Sequence, residues 1–203
     1  FTGNTAKTAG GAMNIGAKST VNLKNAAFSN NKVGGQFNDI NNDGTINASG
    51  EITLDGGISG AGTLNLADGT LLNVVAGKTT ISNNVVNGGA TLNLKFDRGF
   101  TGNYELITDE GSLDKAFTMA QNGIYTITEA TDADGNVIHG QYVVEKRPAS
   151  DIAATVGADS NQAAGLEAIT QAAQGATNQA FDSIADYVNT NIQSANAADR
   201  QAA

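Results

Sequence analysis

The amino-acid sequence predicts a mainly β chain wound as a parallel β-helix (a solenoid), closed by a C-terminal cap and followed by a short α-helical tail. Three observations carry this expectation: short cells of alternating polar and apolar residues recur, glycine pairs separate them, and helical spacing replaces alternation after Pro148, the only proline.

The cells are Ser19-Thr20-Val21-Asn22-Leu23, Gly44-Thr45-Ile46-Asn47, Gly62-Thr63-Leu64-Asn65-Leu66 and Ala90-Thr91-Leu92-Asn93-Leu94. Their threonines lie 25, 18 and 28 residues apart, the range in which a solenoid turn of two or three short strands falls. One cell per turn is the expectation, with the aliphatic side chains stacked inward and Thr and Asn facing outward or at corners. Gly10-Gly11, Gly34-Gly35, Gly56-Gly57 and Gly88-Gly89 fall between cells, where the backbone needs conformations that glycine adopts without steric cost. Residues 1–98 are therefore assigned to the repeating part.

From residue 99 the strands lengthen and most of the aromatics appear, including Tyr104, Phe117, Tyr125 and Tyr142. Asp132-Ala133-Asp134-Gly135-Asn136 separates two alternating runs and predicts a hairpin between Thr126 and Val144. The open apolar end of a stack needs an atypical unit to cover it, so residues 99–147 are assigned to a cap. After Pro148, Leu166, Ile169 and Ala173 form one helical stripe, and Phe181, Ile184, Ala185, Val188 and Ile192 form a second. Helices are expected near 160–174 and 178–195, with Ser160 and Thr177 as N-caps, inside an α-helical segment spanning 148–203.

Composition narrows the function. The chain has 203 residues, a net charge of −9 and no cysteine, which argues against a nucleic-acid partner and excludes disulfides, thiol catalysis and thiolate metal sites. No apolar run reaches the roughly 18 residues of a spanning helix, so no direct membrane insertion is expected. The opening Phe1-Thr2-Gly3-Asn4 reads as the tail of a repeat, and the chain as a piece of a longer protein.

Each chemical motif in the sequence also has a plainer structural explanation. His139, the single histidine, is the only base available to a serine triad, and a strand-end imidazole explains it as well. Asp43, Asp55, Asp68 and Asp97 could build a glycan-cleaving site, but their spacings do not follow the cells. Asp39-Ile40-Asn41-Asn42-Asp43-Gly44 resembles the start of a calcium loop, yet the place of its bidentate carboxylate is Gly50, and an Asx-rich turn is the preferred reading. Asp132, Asp134 and Asn136 supply fewer ligands still. Gly11 to Ser19 approaches a phosphate loop, but Ala17 separates glycine from Lys18. No catalytic residue, metal site or cofactor is assigned.

Gly10-Gly11-Ala12-Met13 and Phe28-Ser29-Asn30-Asn31, with Phe1-Thr2-Gly3-Asn4 upstream, resemble the GGA-plus-aliphatic and F-x-x-N repeats of polymorphic outer-membrane proteins. Asn161-Gln162-Ala163-Ala164 and the stripe after it resemble the helix that precedes autotransporter (type V secretion) barrels. The resemblance implies a right-handed, single-stranded β-helix passenger with a folding-promoting cap, Phe1 and Phe28 stacked inside successive turns, and Asn4 and Asn31 at a corner. It also implies a bacterial cell-surface or outer-membrane location on the extracellular side, with the chain's own C-terminal outer-membrane barrel as partner. The expected function is a non-catalytic, barrel-proximal stem that supports passenger folding, secretion and display. The alternatives are an adhesin for a host glycan or protein, and a β-helix polysaccharide lyase or hydrolase.

Overall fold

The computed structural model describes residues 1–96, 100–108, 111–148, 151, 164, 165 and 168. The chain is mainly β. In chain order the strands are β1 (Thr5–Ala6), β2 (Met13–Ile15), β3 (Thr20–Phe28), β4 (Lys32–Val33), β5 (Gln36–Phe37), β6 (Ile40–Asn42), β7 (Thr45–Leu54) and β8 (Ile58–Ser59). They continue as β9 (Thr63–Leu66), β10 (Leu71–Ala76), β11 (Asn84–Asn87), β12 (Thr91–Phe96), β13 (Gly102–Glu105), β14 (Ser112–Leu113), β15 (Thr118–Met119), β16 (Tyr125–Thr131) and β17 (Val137–Lys146). Two compact units are present: one contains Phe1–Phe96, Asn103–Ala120 and Glu129–Tyr142, the other Asp97–Gly102, Gln121–Thr128 and Val143–Ala203.

The first unit is organised by a curled parallel sheet of seven strands, ordered β14-β11-β9-β7-β10-β12-β15, with β3 also pairing with β7. The long strand β7 belongs to two rows. Its first half pairs with β9, placing Ile46 beside Leu64, and its second half pairs with β10, placing Ile52 beside Leu72. A second parallel sheet, β2-β6-β8, is prolonged by bridges from Ile58 to Ile81 and from Ile81 to Ile107. A small sheet, β1-β4-β5, carries a hairpin whose tip is Gly34-Gly35, both at positive φ (56° and 88°). That is the backbone a two-residue hairpin turn requires.

Strand β3 bends at Asn25, whose φ is 50°, directly beside the bend of β7 at Gly50, whose φ is 70°. Asn25 Oδ1 accepts the Glu51 N–H at 3.0 Å, so the side chain satisfies a donor that the bend withdraws from the ladder. An asparagine can therefore hold a left-handed corner in β3, where β7 uses glycine.

Parallel register places like upon like. Ile46, Leu64 and Val85 are in one inward column, and Ile52, Leu72 and Leu92 in another; all are buried. Ile40, Ile58, Ile81 and Ile107 form a third column and are likewise buried. Each such side chain contributes roughly 1.5–3 kcal/mol relative to exposure. On the outward side, Asn65 Nδ2 donates to Asn47 Oδ1 and Asn47 Nδ2 to Asn22 Oδ1, both at 2.9 Å. Asn93 Nδ2 repeats the contact with Asn73 Oδ1 at 2.8 Å. Phe1 stacks on buried Phe28 with ring centroids 4.8 Å apart, and Asn4 Nδ2 donates to Asn31 Oδ1 at 2.9 Å, as expected, but Phe1 itself is 57% exposed rather than inside a turn.

One expectation needs correction. Thr20, Thr45 and Thr63 share a column, but the next position in it is Asn84; Thr91 belongs to the other row, beside Leu71. From Thr63 onward, each passage of the chain holds two short strands separated by a corner, so the cell at Ala90–Leu94 is the second half of its passage rather than a first half. The irregular spacing of 28 residues came from comparing positions in different rows.

The expected hairpin is formed by β16 and β17, neighbours in the sheet β13-β17-β16. Its turn places Gly135 at φ 85°, and Asp132 N bonds Asn136 O at 2.9 Å. In the second unit, Arg147 N donates to Ile124 O at 2.8 Å and its Nη1 to Gly123 O at 3.0 Å. Ala164, Gly165 and Ala168 have helical backbone, while the rest of both expected helices lies outside the described residues.

The first unit also packs Tyr104 against Tyr142, ring centroids 6.4 Å apart, and burial raises both phenol pKa values above the ordinary range. Tyr104 donates to Thr79 O at 2.5 Å, whereas the buried Tyr142 hydroxyl has no hydrogen-bond partner among the described residues. Tyr142→Phe is therefore expected to raise stability by about 1 kcal/mol and Tyr104→Phe to lower it by about 1 kcal/mol in urea titrations. Because the folded state holds both groups neutral, the stability they provide is complete below the unfolded pKa of about 10 and is lost as pH rises above it. Alkaline melts of the Tyr104→Phe variant should accordingly fall off less steeply than those of the parent.

Candidate functional site

The carboxylates singled out from the sequence are engaged by different donors, although Asp39 and Asp55 meet at one turn. Asp39 is fully buried and accepts four N–H groups: Asn31 Nδ2 on Oδ1 at 2.8 Å, and the backbone of Asp55, Gly56 and Gly57 on Oδ2 at 3.0, 2.7 and 3.2 Å. Asp43 accepts Ala61 N and Asn41 Nδ2. Asp55 accepts Asn30 N and pairs with Lys78 Nζ at 2.5 Å. Asp68 lies against Gly89, and Asp97 is outside the described residues. Among the described residues, no three His, Asp or Glu side chains come together in a group that could hold a metal ion.

The calcium-loop resemblance dissolves for a specific reason. Asp39 points inward onto backbone donors, Asn41 donates sideways to Asn14 Oδ1 at 3.0 Å, and Asn42 turns into the core, donating to Asn83 Oδ1 at 2.8 Å. Asn41 and Asp43 meet each other, but Asp39 and Asn42 are turned inward to separate partners. Gly11 to Ser19, the near phosphate loop, contains the strand β2 and a turn closed by Ser19 N on Gly16 O, with no helix after it.

His139 Nδ1 lies 2.9 Å from Glu129 Oε1 on the hairpin, and both side chains are partly exposed. Asp132 accepts both Asn136 donors and the Asp134 N–H. The Asn136 side-chain bond, followed by its backbone bond, holds the Asp132 carboxyl below the usual range, which identifies a turn residue rather than a proton donor at neutral pH.

The structure does present a concave site that the motifs did not indicate: an open groove of about 450 Å³ along one side of the β8 region. Its floor is made from small residues, Gly56, Ser59, Thr80 and Ser82, around Ile58. Gly57 beside it is obligatory, since its φ is 88° and a Cβ there would meet Thr80 O at 2.1 Å. Asp39 grips this glycine backbone from within, so the buried carboxylate fixes the floor. Phe37 and Asn38 line the groove from the end of the Gly34-Gly35 hairpin, and Glu105 and Thr108 complete its lining.

Phe37 is 41% exposed, a large value for an aromatic ring in a hydrogen-bonded strand. The ammonium groups of Lys78 and Lys32 lie 3.8 and 4.8 Å from its ring centroid and hold it by cation–π attraction. Asn38 Oδ1 and Thr108 Oγ1 are shielded from solvent and make no hydrogen bond among the described residues. The signal for this site in the sequence was Lys32-Val33-Gly34-Gly35-Gln36-Phe37, a hairpin pattern that also fits a simple corner.

Comparison with known proteins finds no matching family model, no matching curated protein and no matching solved structure. The geometry of the chain itself therefore carries the functional reading.

Asp39→Ala is expected to lower stability by about 3 kcal/mol or more, because it leaves buried N–H groups without an acceptor. Calcium should produce no shift in Tm in thermal melts with and without chelator. A calcium-dependent rise in Tm that Asp39→Ala abolishes would restore the metal-loop reading.

Proposed function

We propose that the parallel rows are the faces of a right-handed, single-stranded β-helix, and that this helix is the non-catalytic, barrel-proximal stem of an autotransporter-like bacterial surface protein. The observation that carries the proposal is the unbroken column Ile40, Ile58, Ile81 and Ile107, matched by the hydrogen-bonded Asn22, Asn47 and Asn65 on another row. A stack in which each passage contacts chiefly its neighbours can grow by addition. Such growth outside the cell would favour outward movement of the chain, and a folded stack would resist return.

In this reading residues 99–147 act as the cap. Leu106 N donates to Gly140 O at 3.0 Å, so β17 lies next in line after the Ile107 position. Residues 148–203 would lead to the chain's own outer-membrane barrel. Nucleic acid and direct membrane insertion of this segment have no place in the proposal. The resemblance of the GGA and F-x-x-N repeats supports the surface location, and the stacking of Phe1 on Phe28 fits the repeat architecture.

The polysaccharide lyase or hydrolase reading is less well supported, since the carboxylates of Asp39, Asp43 and Asp55 are each engaged by donors of the chain itself. The adhesin reading gains from the exposed Phe37 groove and is compatible with a stem.

Deleting residues 99–147 is expected to slow refolding of residues 1–98 and lower their stability in stopped-flow and urea experiments. Fused ahead of an outer-membrane barrel, the same deletion should reduce protease-accessible passenger at the cell surface. Unchanged refolding and unchanged display would remove the cap role.

A further inference from the structure

We propose that the free edge of β3 takes an added parallel strand from an acidic partner polypeptide, with an asparagine of the partner beside Asn22 and a carboxylate beside Lys24. Among the described residues β3 pairs only with β7. Ser19 O accepts the Thr45 N–H, so the backbone groups of Ser19, Val21 and Leu23 face β7. Strand alternation then turns the N–H and C=O groups of Thr20, Asn22 and Lys24 to the other side, where no strand meets them among the described residues. Past the bend at Asn25 the edge is already taken, because Phe1 N donates to Ala27 O and Ser29 N donates to Phe1 O. The open part is therefore Thr20–Lys24.

The edge selects a polypeptide, since another extended backbone matches such a row of donors and acceptors in spacing. The asparagine ladder selects the register. Asn22 Oδ1 accepts Asn47 Nδ2, which in turn stands in line with Asn65, and the ladder ends at Asn22 on an exposed amide. Parallel addition with an asparagine beside Asn22 repeats the relation that Asn47 already has to it on the other side.

Charge selects the kind of partner. The first 38 residues hold Lys7, Lys18, Lys24 and Lys32 and no Asp or Glu, whereas all 20 acidic residues come later, so a chain of net charge −9 begins with a wholly basic stretch. Lys18 precedes β3 and Lys24 stands on it, both exposed. The neighbour of Lys24 on β7 is Ser49, and Glu51, the acidic residue of β7, accepts Asn73 Nδ2 on the opposite side. In a parallel neighbour the residue two places after the asparagine lies beside Lys24 on the same face, where an acid attracts and a base repels. The site needs only β3 and β7 and does not rest on the stem reading.

The test uses the full chain and two end-blocked peptides, Gly-Thr-Leu-Asn-Leu-Glu-Gly and the same sequence with lysine for glutamate, titrated while protein amide shifts are followed by NMR. The acidic peptide is expected to bind, with shifts centred on the amides of Thr20, Asn22 and Lys24, and the lysine peptide to bind about tenfold more weakly. Lys24→Glu, an exposed substitution, should invert that preference, and thermal melts serve as its folding control. Exchange of the same charge on the other side of the pair, Lys24→Ala, should make the two peptides equal and keeps the test decisive if Lys24→Glu is destabilised. Four outcomes would each overturn the proposal: no binding of the acidic peptide, a preference that neither variant alters, shifts centred away from β3, or an equally strong response to a heparin hexasaccharide, which has charge but no strand backbone. Self-association of the chain that protects the β3 amides without peptide would also overturn it, by making a second copy the occupant. Loss of display on deleting residues 99–147 leaves it unaffected, so the two readings fail separately.

Discussion

Parallel pairing is the constraint on which the rest of this structure depends. A strand such as β7 satisfies its backbone N–H and C=O groups only through neighbours contributed by other passages of the chain, and an unpaired buried group costs as much as a lost hydrogen bond. Once register is fixed, each side chain is opposed by its equivalents on both sides. Aliphatic columns and asparagine ladders follow directly, because identical shapes and self-complementary amides are the side chains that best tolerate being stacked on themselves.

The corners pose a different problem, since the ladder is interrupted there and the freed donors are partly buried. Polar side chains turned inward solve it. Asp39 gathers three backbone N–H groups at one corner, while Asn83 donates to Gly60 O at 2.7 Å and to Asn42 O at 3.1 Å at another. Asn87 does the same nearer the C-terminal side, accepting Gly89 N and Ala90 N while donating to Lys115 O and Ala116 O. Substitution of buried Asn83 or Asn87 would cost more than that of the exposed ladder residues Asn22 and Asn47, although all are the same residue type.

The mainly β character, the inward direction of Leu64, Leu66, Leu92 and Leu94 and the hairpin at Asp132–Asn136 were legible, because each rests on period-two alternation or on a turn with one dominant solution, while the pairing of Phe1 with Phe28 was implied by the F-x-x-N resemblance. The placement of Thr91 was not, since its cell looks identical whichever row it joins and only the preceding corner decides. Neither was the burial of Asp39: a string of Asx residues reads alike as a ligand set, a turn or a corner clamp until the direction of each side chain is known. The groove escaped notice because its residues come from the Phe37 hairpin, from the β8 region, and from Thr80, Ser82, Glu105 and Thr108, distant in sequence and ordinary in type.

The hairpin between Lys32 and Phe37 has a wider meaning for how such a chain can vary. The asparagine ladder joins residues 25 apart at one step and 18 apart at the next, yet the strands stay in register, so the surplus length is carried entirely by what lies between them. Length and alignment are thus separate properties of this molecule. Residues can be gained or lost at the Gly34-Gly35 tip without displacing a single column, and recognition surfaces can diverge there while the stacked interior stays unchanged.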